Sequence, residues 1–289
     1  MAWAEILRPL NCAMSSLGVI AGGFLVTMSL SLPVMLAALA AFLITGGGNA
    51  INDFFDIETD SINRPKRPIP SGRISRNSAL LFTLALFGTG MVLAARASFP
   101  CFILAAVNCL LLVVYSFNLQ NKVLVGNIAV AYLVGSTFLF GGASAGDMTL
   151  PAIMALLAML ATLAREIVKD LEDVEGDRAS FMRRVASGLR KAVGERFRVR
   201  GGKVTLSYSR SFAIAAAVLC LLAAVAISLI PYAWGILGES YMTVVAVTDI
   251  IFIRASLQLA TKKHYGSVSR QIKYGMAIGM AAFFTGILI

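Results

Sequence analysis

Apolar residues run along this chain in blocks of about twenty, parted by short polar links. A helix of that length crosses the hydrocarbon core of a bilayer. The blocks give nine spans, roughly 11–30, 33–51, 78–95, 98–117, 124–142, 149–168, 208–230, 232–256 and 271–289. Glu239, Asp249 and Arg254 interrupt the eighth. Links as short as SLP (31–33) and SFP (98–100) return neighbouring helices as antiparallel hairpins. The expected fold is all-α: a polytopic membrane protein, a bundle of nine transmembrane helices. It forms one domain over residues 1–289, with halves of about 1–142 and 143–289.

Composition agrees. Of 289 residues 58% are hydrophobic and only 14% charged, with a mean hydropathy of +0.81. A soluble domain carries about a quarter charged residues. The leading MAWAEILRPLN has one acid, one base and no small-residue cleavage pattern, so no cleavable signal is expected. Cys12, Cys101, Cys109 and Cys220 lie in apolar segments without metal-ligand spacing and read as small buried hydrophobes. His264 is the single histidine, which argues against a histidine metal site or a Ser-His-Asp hydrolase.

Charge sets the orientation. Of 25 Lys and Arg, only Arg96 falls in a link that follows an odd-numbered span. The rest gather at the N-terminus, around the ends of even-numbered spans and in the loops after them. By the positive-inside rule the N-terminus and those loops are cytoplasmic. The net charge of +10 is therefore one-sided. It reflects topology and contact with anionic lipid headgroups. No aromatic-interleaved basic segment points to nucleic acid.

One stretch does not fit a plain bundle. NDFFDIETDSINRPKRP (52–68) places acids and then bases at the end of the second span. Asp53, Asp56 and Asp60 are spaced D-x2-D-x3-D, and REIVKDLEDVEGDR (165–178) repeats that spacing in Asp170, Asp173 and Asp177, each 117 positions on. Lys66 and Arg67 are matched by Arg183 and Arg184, and Asn49 by Glu166, at the same offset. Both sets end even-numbered spans, so they share the cytoplasmic side. The spacing suggests a duplicated helical unit. On a continuous helix each trio falls within about 60° of one face. Gly176 is expected to end the second helix, and the first to unwind by Ile57. Carboxylates stacked this way repel one another unless paired. Their partners are either the following bases or a divalent cation. Oxygen donors without His or Cys suit Mg²⁺, and bases beside them can meet the remaining oxygens of a phosphorylated substrate. Acids, metal and a basic rim describe a diphosphate site, and its place on a membrane bundle implies a lipid substrate.

These residues resemble the UbiA superfamily of intramembrane prenyltransferases. NDFFDIETD fits its N-D-x-x-D-x-x-x-D signature and KDLEDVEGD its second aspartate-rich motif. LRPLN (7–11), NRPKRPIPSGRIS (63–75) and VYSFNLQNKVLVGN (114–127) follow in the family's order. The resemblance implies that two Mg²⁺ ions hold the diphosphate of a prenyl donor. Asn52, Asp53, Asp56 and Asp60 would face Asp170, Asp173 and Asp177 across a central cavity. The allylic C–O bond then ionises and an acceptor attacks the cation. By position, Lys122 and Asn127 match family residues that approach the diphosphate, and Tyr115 one near the cation. Lys122 reads equally as a positive-inside residue, and Tyr115 as an interfacial anchor. Arg67 and Arg73 are candidates for the basic rim. Asn11 faces either the cavity or a neighbouring helix.

Within the family the chain looks most like the archaeal branch that prenylates geranylgeranylglyceryl phosphate. A second phosphate would engage Arg64, Lys66, Arg165 and Lys169. Glu166 is either the group that takes the acceptor's hydroxyl proton or a structural partner of Lys169 or Arg165. Aromatic, quinone, haem or chlorophyll-type acceptors are the alternative, and an ion-coupled transporter a remoter one. Transporter sites lie near the midplane, whereas these acids lie at helix ends. One departure stands out. Ser207 replaces an expected proline, and the segment before it is long. Phe181, Val185, Leu189 and Val193 recur every four residues between bases, the pattern of an interfacial helix within a cytoplasmic cap over 178–207.

Overall fold

The computed structural model describes residues 2–119, 123–188, 209–261 and 264–288, with backbone alone at 123, 175–188 and 288. Lys122 and most of the expected cap, Leu189 and Val193 included, lie outside the described residues. The described residues form twelve helices in order: α1 (Ala2–Leu7), α2 (Pro9–Thr27), α3 (Leu32–Phe55), α4 (Ile57–Asn63), α5 (Arg76–Ala97), α6 (Phe99–Phe117), α7 (Val123–Ala145), α8 (Thr149–Gly188), α9 (Arg210–Ser228), α10 (Ile230–Ala233), α11 (Glu239–Thr261) and α12 (Tyr265–Leu288). No strand occurs among the described residues.

Local chemistry sets these boundaries. Proline stands in the first turn of α2, α3 and α6, where its missing N–H costs nothing. The hydroxyls of Ser75, Ser98 and Ser209 cap α5, α6 and α9 by accepting from Ser78, Cys101 and Phe212 N–H groups. Among the described residues, eight stretches are long and apolar enough to cross a membrane: α2, α3, α5, α6, α7, the first part of α8, α9 with α10, and α11. The chain is an integral membrane protein. Helix α12, with 24 residues, carries Arg270 and Lys273 in its first three turns and is not among those eight.

Two expectations need correction. The eighth span starts at Glu239, not 232, because α10 ends in a turn with Gly235 at φ 67°. Helix α8 passes straight through Gly176 and continues to Gly188; one glycine costs a helix only about 1 kcal/mol. The expected unwinding of the first acid segment by Ile57 is seen as a break at Asp56, which divides that trio between α3 and α4.

The bundle has two packed groups. Val19, Ala37, Ala40, Phe87 and Cys109 centre the first, from α2, α3, α5 and α6 with Phe140 of α7. Ile167, Leu221, Phe252 and Ile272 centre the second, from α8, α9, α11 and α12. Phe138, Met154, Tyr241 and Phe283 join them. Lipid tails are as apolar as leucine, so close packing must hold such helices together. Small residues provide it. At Gly135 of α7 an added Cβ would lie 2.7 Å from the Ala155 carbonyl oxygen of α8. The four cysteines are free, and three are buried. Between the groups lies a cavity of about 820 Å³, walled by apolar side chains with a few polar ones among them.

Candidate active site

The end of α3 is pulled tight before the first acids. At Gly47 and Gly48, Cβ atoms would stand 2.6 Å from the Phe87 ring and 2.8 Å from Leu112, so only glycine lets α5 and α6 close in. At the next residue, the Asn49 amide donates to the Leu7 carbonyl at 2.9 Å, fixing the junction of α1 and α2 against α3. At that junction Arg8 adopts φ 52°, ψ 70°, a left-handed conformation unusual outside glycine, with Pro9 opening α2. This turn aims the Arg8 guanidinium at Asp53, to which it donates.

Asp53 and Asp60 are both buried. Arg67, in the loop after α4, donates to Asp53 at 3.2 Å and also to Asp60. One guanidinium thus spans two acids from two helices, on either side of the break at Asp56. Asp56 accepts from the Asn52 amide at 2.6 Å, one turn earlier. On the rim, Arg73 grips Glu5 through both guanidinium nitrogens, at 2.8 and 3.2 Å, and donates to the Lys66 carbonyl. The guanidinium holds the Glu5 carboxyl below the usual glutamate range. The side chains of Arg64 and Lys66 are exposed.

The second acid set sits on α8. Asp170 accepts from the buried Asn127 amide of α7 at 2.6 Å. Asp173 is exposed, and Asp177 lies on the helical backbone with its side chain outside the described residues. Glu166 accepts from Arg165 at 2.7 Å and has the Lys169 ammonium at 3.9 Å. Tyr115, near the end of α6, lies within electrostatic reach of Asp56 of the first set and of Asp170 and Glu166 on α8. Members of both acid sets therefore lie near one phenol. Asn11 and Arg165 line the cavity just described.

Among the described residues no three acid, histidine or cysteine side chains stand in metal-holding geometry; arginines neutralise Asp53 and Asp60 instead. The donor chemistry nevertheless suits a hard cation. Asp53, with Asp56 and Asp60 repelling it, is buried and calls for positive charge. The nearby donors are carboxylate and amide oxygens, the ligands of Mg²⁺. Arg8 escaped the sequence reading as a site residue. Its signal was its place in LRPLN, directly before a proline that opens a helix.

The comparisons with known proteins agree over the whole length. The digeranylgeranylglyceryl phosphate synthase of Methanopyrus kandleri is 42% identical over 289 residues, covering 99% of each chain. That of Methanothrix thermoacetophila is 40% identical over 290 residues, again with 99% of each covered. A solved structure of digeranylgeranylglyceryl phosphate synthase, studied for biosynthesis in membranes, superposes with a TM-score of 0.86 at 33% identity, covering 99% of this chain and 98% of that one. A UbiA homolog from Archaeoglobus fulgidus bound to GPP and Mg2+ shares the fold, with a TM-score of 0.66 at 17% identity and full coverage of both chains. The sequence model of the UbiA prenyltransferase family matches residues 15–279. With that match over most of its length and relatives of 40% identity and more over nearly all of it, the chain belongs to the UbiA prenyltransferase family and is a prenyltransferase.

Proposed function

We propose that this protein transfers a geranylgeranyl group from its diphosphate to the free hydroxyl of geranylgeranylglyceryl phosphate, in the synthesis of archaeal membrane lipids. The observation that carries the reading is that Asp56 of the first acid set and Asp170 and Glu166 of α8 all lie within electrostatic reach of Tyr115, in a bundle whose cavity of about 820 Å³ is lined by Asn11 and by Arg165, the partner of Glu166. Full-length identity of 40% and more to synthases of that name supports this choice of acceptor.

In this reading α12 is the ninth crossing, and the N-terminus, the acids and the even-to-odd loops face the cytoplasm of the cell membrane. Asn52, Asp53, Asp56 and Asp60 on one side, and Asp170, Asp173 and Asp177 on the other, hold Mg²⁺, with two ions fitting two trios. When bound, the metal neutralises the diphosphate and makes it a better leaving group.

The chain's own groups do the rest. Arg67 and Arg8 meet phosphate oxygens that are otherwise uncovered, with Arg73, Lys66 and Arg64 on the rim and Lys122 and Asn127 opposite. The allylic C–O bond breaks, and its electron pair leaves with the diphosphate. Tyr115 turns its ring toward the cation, and the apolar cavity excludes water from it. The acceptor oxygen bonds to the allylic carbon, and its proton passes to Glu166. Lys169 and Arg165 hold that carboxylate in place.

Purified protein given Mg²⁺, geranylgeranyl diphosphate and geranylgeranylglyceryl phosphate should yield the doubly prenylated lipid by mass spectrometry. EDTA should stop the reaction and added Mg²⁺ restore it. Transfer only to an aromatic acid or porphyrin would move the protein to another branch of the family.

A further inference from the structure

Lys273 has no place in the mechanism above. It lies about 12 Å along α12 from its start at Tyr265, inside a membrane-packed helix, and its side chain is exposed on the cavity wall. A cation at such depth is costly, and it marks a binding site by default.

The register of α8 against α12 shows what it faces. The helices run antiparallel and pack through Val168 and Leu171 on one and Val268 and Ile272 on the other. Near the end of the packed part a Cβ on Gly266 would stand 3.1 Å from the Glu172 carboxyl carbon. Lys273 is seven residues deeper than Gly266, and Arg165 is seven residues deeper than Glu172. Seven residues are about 10 Å of rise and within about 20° of two full turns. Arg165 and Lys273 therefore share one depth and one azimuth, and both line the cavity.

Their charge is only partly compensated. Glu166 is divided between Arg165 at 2.7 Å and Lys169 at 3.9 Å. Asp249, the one acid among the residues lining the cavity, accepts from the Ser228 hydroxyl at 3.0 Å and forms no ion pair with Lys273. Lys273 has no ion-pair or hydrogen-bond partner among the described residues. An anion held between Lys273 and Arg165 would supply the missing partner. Asn11 and Ser15 of α2 add an amide and a hydroxyl on the same wall. Met14 and Leu17 beside them are exposed, so this flank is open to an entering lipid.

We propose that Lys273, paired with Arg165, binds the phosphate monoester of the lipid acceptor. A phosphate there forms charge-assisted hydrogen bonds to both cations. Glu166, next to Arg165, then stands beside the glycerol hydroxyl of the same molecule. The inference rests on the acceptor reading above.

The test is steady-state kinetics of the full-length protein, with geranylgeranylglyceryl phosphate and its dephosphorylated counterpart, geranylgeranylglycerol, as acceptors. Wild type should prefer the phosphate. Lys273→Gln should raise the acceptor KM about tenfold or more, the loss of one charge-assisted hydrogen bond, with the donor KM unchanged. Its preference for the phosphate over the alcohol should fall by the same factor, and Lys273→Arg should recover most of it. Lys273→Met, which keeps the apolar stem, serves as a second variant if the glutamine form does not fold. An unchanged acceptor KM, or an equal loss with both acceptors, overturns the subsite and leaves Lys273 reaching for the interface. A shift in the donor KM alone overturns it in favour of the diphosphate. Wild-type inactivity with the phosphorylated acceptor overturns the acceptor reading itself, a result separable from all of these.

Discussion

Arg8 and Asp53 stand forty-five positions apart in the sequence, yet the guanidinium of one donates directly to the buried carboxylate of the other. With Arg67 on the same oxygen, Asp53 sits between two cations supplied by the protein itself. Metal binding at Asp53 must compete with them. Arg8→Gln should lower the thermal unfolding temperature of the metal-free protein by a few degrees, on the order of 1–3 kcal/mol for a charged hydrogen bond. The deficit should shrink when Mg²⁺ and donor are added, because metal takes over the neutralisation. A deficit that persists unchanged would make Arg8 purely a structural clamp.

Asp173 offers the cleanest separation of chemistry from folding, since its side chain is exposed. Asp173→Asn should leave stability within about 0.5 kcal/mol while lowering turnover at least about a hundredfold. Near-normal turnover in a folded protein would remove Asp173 from the set that holds the metal.

The crossing of α7 and α8 at Gly135 carries the Asn127–Asp170 hydrogen bond two turns away. Gly135→Ala forces the Ala155 carbonyl to retreat. It should cost about 1–3 kcal/mol in thermal stability, the usual penalty of overpacking. Activity should drop as Asn127 moves off Asp170. A variant as stable and active as wild type would show that the helices part freely here.

The Glu5–Arg73 pair gives a pH signature. The carboxyl is held below its ordinary value of 4.5 by the guanidinium. Its stabilising contribution is thus present above that value and lost as the pH falls through the lower, folded one. The difference in unfolding temperature between wild type and Glu5→Gln should be constant near neutrality and vanish toward low pH. The effect should be small, because the pair is exposed. A difference that grew on acidification would reverse the assignment.

The sequence made the spans and the acid spacing legible, because both are local. Hydropathy registers what touches lipid, and a repeated D-x2-D-x3-D survives any packing. Partner choice is another matter. Nothing in LRPLN says that Arg8 reaches Asp53, because the left-handed turn behind it depends on α3 being close enough for Asn49 to hold the Leu7 carbonyl. The break at Asp56 was half visible, as an expected unwinding by Ile57. That Asp60 and Asp53 share Arg67 across that break needed the fold. Lys273 was hidden for a related reason. Near the edge of a hydrophobic block, a lysine looks the same whether it meets headgroups or lines a cavity.

Helix α8 runs forty residues without interruption, about 60 Å at 1.5 Å per residue, twice the depth of a hydrocarbon core of about 30 Å. Measured from Thr149, Asp170 comes about 32 Å along this rod, where the acyl region gives way to water. The helix is a ruler: its unbroken pitch fixes both how far the second set of acids rises and which way it points. Inserting a single residue between Thr149 and Asp170 would lift those acids by only about 1.5 Å but swing them by about 100°, away from Tyr115 and the first set. The spacing of chemistry across the cavity is therefore kept by chain length as firmly as by any contact at the site.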